Sequence, residues 1–170
     1  MTPRTVHGML AALALTGFAC AALGAAPAVD RSANANRLVG TWEASVRVGP
    51  CGGPLLPPYL AFTVFHFGGT LTETNMAPLG GAPTPWGVSV RGPAFGTWDW
   101  DPATRSYRGQ MRFNWYVGGF YHGYHQVVFE RLELTADSAS MTGTFTGARH
   151  FADGSPPVPN CGEAEFVRTP

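Results

Sequence analysis

Three groups of residues carry the chemistry this chain could perform. His66, Glu73 and Asn75 flank Gly68-Gly69 in two apolar segments. A carboxylate or imidazole inside an apolar wall is suited to proton transfer, because desolvation moves its pKa away from the solution value. Trp98, Trp100, Tyr107, Phe113 and Trp115 form a dense aromatic set. Such a set would grip a flat or greasy molecule and would serve equally well as core. His122, Tyr124 and Gln126 alternate along a third segment and supply hydrogen-bonding groups that could orient a ligand.

Other chemistries lack their residues. There is no Gly-x-Ser-x-Gly and no Gly-rich phosphate loop leading into a helix, so no nucleophile elbow, nucleotide or other cofactor is expected. No metal is expected either. No CxxC or HxxxH spacing accompanies the cysteines, and His122 and His125, three apart, face opposite ways on a strand. All eleven basic residues are arginines, balanced by eleven acids and scattered along the chain, without the basic stripe of a nucleic-acid binder.

The elements that must position these residues are strands. Residues 38–48 alternate, with Leu38, Gly40, Trp42, Ala44, Val46 and Val48 on one face and Thr41, Glu43, Ser45 and Arg47 on the other. Further strands are expected at 60–67, 70–75, 95–100, 105–117, 120–134, 139–151 and 161–169. Gly68-Gly69 and Asp101-Pro102-Ala103-Thr104 serve as hairpin turns. Residues 49–58 and 76–94 read as Pro/Gly-rich loops, the second holding Trp86. No long stretch shows a 3.6-residue apolar period. Eight antiparallel strands with short connections favour an all-β up-and-down barrel, since closure removes exposed edges. A two-sheet sandwich is the alternative.

Alternation then assigns faces. Pairing Phe67 with Thr70 sets His66 opposite Leu71 and Val64 opposite Glu73, so Phe62, Val64, His66, Leu71, Glu73 and Asn75 share a face. Pointing inward, that face puts three polar groups in the lumen; pointing outward, it leaves Phe65 and Phe67 as core. On 105–117, Tyr107, Met111, Phe113 and Trp115 are expected inside together with Trp98 and Trp100. On 120–134, Phe120, His122, Tyr124, Gln126 and Val128 are grouped with Leu132 and Leu134, which turns His122, Tyr124 and Gln126 toward the lumen; Gly118-Gly119 and Gly123 are candidate bulge sites. Arg149, near a strand end, is expected in a rim salt bridge ahead of an anion contact.

Export is expected from the N-terminus. Arg4 and His7 precede an apolar run over 9–23, and Ala26-Pro27-Ala28 offers small residues for cleavage, making 1–28 a signal peptide. The run is short for a membrane span, so no membrane insertion is expected after cleavage. Lipid anchoring through Cys20 is disfavoured by Gly17 in place of the usual Leu three residues earlier. Residues 29–37 read as a flexible lead-in and 38–170 as the barrel domain, exported to a bacterial periplasm or beyond. In an oxidising compartment Cys51 and Cys161 should form a disulfide, tying the loop after the first strand to the start of the last.

Gly40-x-Trp42 on the first strand and Arg168 on the last resemble the lipocalin-like (calycin) barrels, in which such a Gly-x-Trp and a late Arg pack together at the closed end. A guanidinium over the indole would seal that end by a cation–π contact. The chain departs from lipocalins in ending at Pro170 with no C-terminal helix, which keeps avidin-like and allene-oxide-cyclase or dirigent-type barrels in view. The resemblance implies a cup for a small, largely hydrophobic ligand. The alternatives are a cyclase- or isomerase-type enzyme using Glu73 or His66 for proton transfer, and a filled barrel whose 76–94 loop and Trp86 contact an envelope partner.

Overall fold

A computed structural model describes residues 33–76 and 80–170. The signal-peptide reading of 1–28 and Cys20 lies outside these residues. The described residues form ten strands: β1 (Gly40–Gly49), β2 (Tyr59–Phe65), β3 (Thr70–Asn75), β4 (Ala82–Thr84), β5 (Gly87–Arg91), β6 (Ala94–Asp101), β7 (Ser106–Val117), β8 (Phe120–Leu134), β9 (Ser140–Phe151) and β10 (Val158–Arg168). Every pairing is antiparallel. The order runs β1-β2-β3-β6-β7-β8-β9-β10, and β10 returns to β1, closing an eight-stranded barrel. The segment expected to be a plain loop over 76–94 contains the hairpin β4–β5. β5 pairs with the far end of β7, continuing the line of β6 beyond Gly92-Pro93.

Closure follows from residues at both ends of the barrel sequence. Trp42 and Arg168 are register partners, and the Arg168 guanidinium lies 4.3 Å from the Trp42 ring centre. It also donates to the carbonyls of Val39 at 2.8 Å, Ser138 at 2.9 Å and Arg37. Trp42 Nε1 donates to Leu38 O at 3.0 Å. Gly40 permits this: its φ is +141°, and a Cβ there would meet Arg168 Nη1 at 2.5 Å. Ahead of it, Ala33–Asn36 form a short helix, and Arg37 donates to Thr135 O, Ala136 O and Ser138 Oγ.

Two registers differ from the expected ones. β2 and β3 pair Phe65 with Leu71 and Thr63 with Glu73, one residue away from the Phe67–Thr70 scheme. The hairpin loop is longer than Gly68-Gly69 alone: a turn over His66–Gly69 is closed by Gly69 N–H donating to His66 O, with Gly68 at φ +98°. His66 and Glu73 therefore lie on opposite faces. Phe65 is core, whereas Phe67 is exposed.

In β8, Phe129 pairs with Phe145 but Arg131 pairs with Thr144, so Glu130 is an extra, bulged residue. Leu132 is inside as expected, but upstream of the bulge the phase inverts: Val127 and His125 are inside, while Phe120 and Gln126 are exposed. A second register shift lies beside Gly123, as expected there: Trp115 pairs with Gly123 but Tyr116 pairs with Tyr121, whereas no shift falls at Gly118-Gly119.

Cys51 and Cys161 are disulfide-bonded, their Cα atoms 4.8 Å apart, linking the loop after β1 to β10. The bond is compatible with an exported protein. Among the described residues, no helix is long and apolar enough to cross a membrane.

Candidate ligand-binding site

The barrel interior divides into a packed end and a hollow one. At the packed end Leu38, Trp42, Trp98, Tyr107 and Met141 are buried, with Trp100 against them. Trp98 meets Phe65 edge-on at 6.2 Å and Tyr107 at 6.1 Å, Trp100 lies 4.8 Å from Tyr107, and Trp98 Nε1 donates to Thr70 O. The Tyr107 hydroxyl donates to Asn34 O. Trp98, Trp100 and Tyr107 thus form the floor and do not line the hollow.

Above this floor is a cavity of about 550 Å³, within the range of small-molecule sites. Its wall is largely apolar: Ala44, Val46 and Val48 from β1, Phe65 and Leu71, Met111, Phe113 and Trp115 from β7, Val127, Phe129 and Leu132 from β8, and Phe145 and Phe166. Of the aromatic residues expected in the lumen, Phe113 and Trp115 line it. So do Glu73 and Asn75.

The polar groups in this wall form one cluster. Glu73 and Arg91 make an ion pair whose side chains are each 3% exposed, and the Arg91 guanidinium stacks 3.6 Å from the Phe113 ring centre. Arg91 points inward because it pairs with Trp115 across β5–β7. Burial pushes the Glu73 carboxyl above its ordinary value, and Arg91 works against that rise. Tyr59, on the cavity wall, interacts with Arg91 through its hydroxyl; desolvation pushes its pKa up to about 12. His125 stacks on Phe113 at 5.1 Å, with the Asn160 amide 3.0 Å from Nε2. Desolvation lowers His125 to about 4, with the Asn160 contact opposing, so it is neutral at pH 7.

The other expected lumen residues are elsewhere. His66 hydrogen-bonds Thr72 at 3.1 Å outside the barrel. Tyr124 stacks on His150 at 4.4 Å beneath the Arg112 guanidinium, and Gln126 is exposed. His122 packs against Trp86 and Phe151. Arg149 is no rim salt bridge: it is 5% exposed, makes no ion pair among the described residues, and contacts His122 Nδ1 at 3.2 Å. Trp86, placed in a contact loop by the sequence, packs its ring on Arg149 and Phe151.

Sequence reasoning missed Arg91, His125 and Tyr59. Arg91 fell in a stretch read as loop, where alternation assigns no face. His125 was turned outward by carrying one phase through β8. The apolar spacing Val127, Phe129, Leu132, Leu134 contains a jump that marks the bulge.

Fold and cavity together define a closed eight-stranded up-and-down β-barrel with a mostly apolar interior hollow. The chain matches no model of a known protein family, no curated protein and no solved structure.

Proposed function

We propose that the chain is an exported, lipocalin-like barrel that binds a small, largely hydrophobic molecule in its lumen. One observation carries the reading: the interior above the aromatic floor is hollow, with an apolar wall and a single polar cluster of Glu73, Arg91, Tyr59 and His125. An apolar hollow of this kind holds water poorly and is stabilised by an apolar occupant. Phe113 and Trp115 supply flat contact area, and the ion pair supplies a fixed polar point for orientation.

Native mass spectrometry of residues 29–170, purified from an oxidising periplasm, should show extra mass that leaves on mild activation. The emptied protein should take up a neutral naphthylamine fluorophore, and Val46→Trp, which fills the cavity wall, should abolish uptake without unfolding the barrel. A bare protein that takes up no apolar probe would overturn the reading.

A second reading has its own observation. Glu73 is a lumen carboxyl whose pKa is raised by desolvation, the preparation a general acid or base needs, so a cyclase or isomerase moving a proton through Glu73 fits the same cavity. His66 has no part in it, being outside the barrel. Ligand binding that is unchanged in Glu73→Gln supports carriage. Turnover of a bound compound that is lost in Glu73→Gln supports catalysis.

A further inference from the structure

Among the described residues, Arg149 is a buried cation with no anionic partner. Its strand partner across β8–β9 is His125, and it shares the inward phase of β9 with Phe145, both of which line the cavity. Its guanidinium lies 4.1 Å from the Trp86 ring centre on one side and 4.8 Å from that of Trp115, which also lines the cavity. Two buried donors here have no acceptor: Arg149 Nε and Trp115 Nε1. Buried donors are satisfied in the great majority of cases, so a neighbouring pair left open marks a place where an acceptor is missing.

The other charged groups of the cavity do not supply one. Glu73 is engaged by Arg91, and His125 is held neutral by burial first and by nearby cations, Arg149 among them, so it offers no negative charge. With Glu73 and Arg91 cancelling, Arg149 stands behind the cavity-lining Trp115 as an uncompensated positive charge beside the lumen. Aromatic faces offset part of the cost of burying it, but they leave the N–H groups unpaired.

We propose that Arg149, with the Trp115 indole N–H, is the head-group site for a carboxylate, and that the lumen ligand is an apolar carboxylic acid. This deepens the lumen-binding reading and rests on it. A planar carboxylate accepts from the guanidinium and from the indole N–H together, while the hydrocarbon body lies along Phe113, Met111 and Val127. Trp86, at the turn between β4 and β5, covers the guanidinium with its ring. The carboxylate enters as that ring lifts, exchanging a cation–π contact for charge-assisted hydrogen bonds.

The test compares dodecanoic acid with dodecanol on the delipidated full-length mature protein by calorimetry. Wild type should bind the acid at least about tenfold more tightly than the alcohol, the advantage of a charge-assisted contact. Arg149→Met should bring the acid down to the level of the alcohol and leave the alcohol unchanged. Trp115→Phe keeps the ring and loses only the N–H; it should weaken the acid several-fold and spare the alcohol, which covers the case in which Arg149→Met does not fold. Equal affinities in wild type, or an acid preference that survives in both variants, would overturn the carboxylate site and leave the lumen reading standing. Binding of neither compound would overturn both.

Discussion

His125 and Gly40 show how single residues set conditions for this barrel. The folded-state pKa of His125, about 4, lies below the ordinary 6.5, so the unfolded chain holds the extra proton. Its contribution is fully present above pH 6.5, is lost as pH falls toward 4, and changes no further below that. The size is about 3 kcal/mol. Glu73 acts in the opposite direction, its raised carboxyl favouring the fold less as pH rises past the ordinary carboxylate range. Urea unfolding of wild type and His125→Phe across pH 4 to 7 should therefore differ in slope, the variant losing the acid-side decline. Gly40→Ala should cost more than about 1 kcal/mol through the positive φ and the Arg168 contact together. Arg168→Met, which removes the cation–π contact and three carbonyl hydrogen bonds, should cost on the order of 3 kcal/mol in the same assay.

At the scale of elements, β8 is the instructive strand. Its bulged Glu130 lets Phe129 and Leu132 both face inward although they are three apart. Deleting Glu130 leaves Phe129 and Leu132 two apart, so simple alternation keeps both inward and the pairing with β7 and β9 becomes regular. The deletion variant should therefore keep a cooperative thermal transition and bind no more apolar dye than wild type; loss of the transition would show that the bulge itself is required. The bulge is also why the third sequence group dispersed: His122, Tyr124 and Gln126 were assigned by carrying the phase of Leu132 and Leu134 upstream, across a residue that reverses it. The turn over His66–Gly69 separated His66 from Glu73 in the same way, since a one-residue change of register exchanges faces.

For the whole molecule, the disulfide and the ring of strands act on the same problem. Cys51 and Cys161 are 110 residues apart, and the bond between them removes loop-closure entropy from the unfolded chain, about 4–5 kcal/mol in the chain-entropy model. The Cys51→Ser/Cys161→Ser variant should keep the barrel spectrum but unfold at lower urea by an amount up to that size. Closure through β1–β10 leaves β4 as the outer strand of a hairpin whose Trp86 turn folds back on the barrel.

The sequence by itself determined the all-β class, the positions of the eight barrel strands though not of the β4–β5 hairpin, the disulfide pairing and the closed-end contact of Gly40, Trp42 and Arg168. These depend on local alternation, turn residues and the ends of the chain, which one sequence displays directly. Only the tertiary structure decided which polar groups share the lumen. Arg91 entered it through pairing with Trp115, His125 through a bulge five residues away, and Arg149 lost its expected salt bridge because its strand turned it inward beneath Trp86. Each is a matter of register, where one residue exchanges inside for outside, and the sequence marks the count only faintly, as in the jump from Phe129 to Leu132.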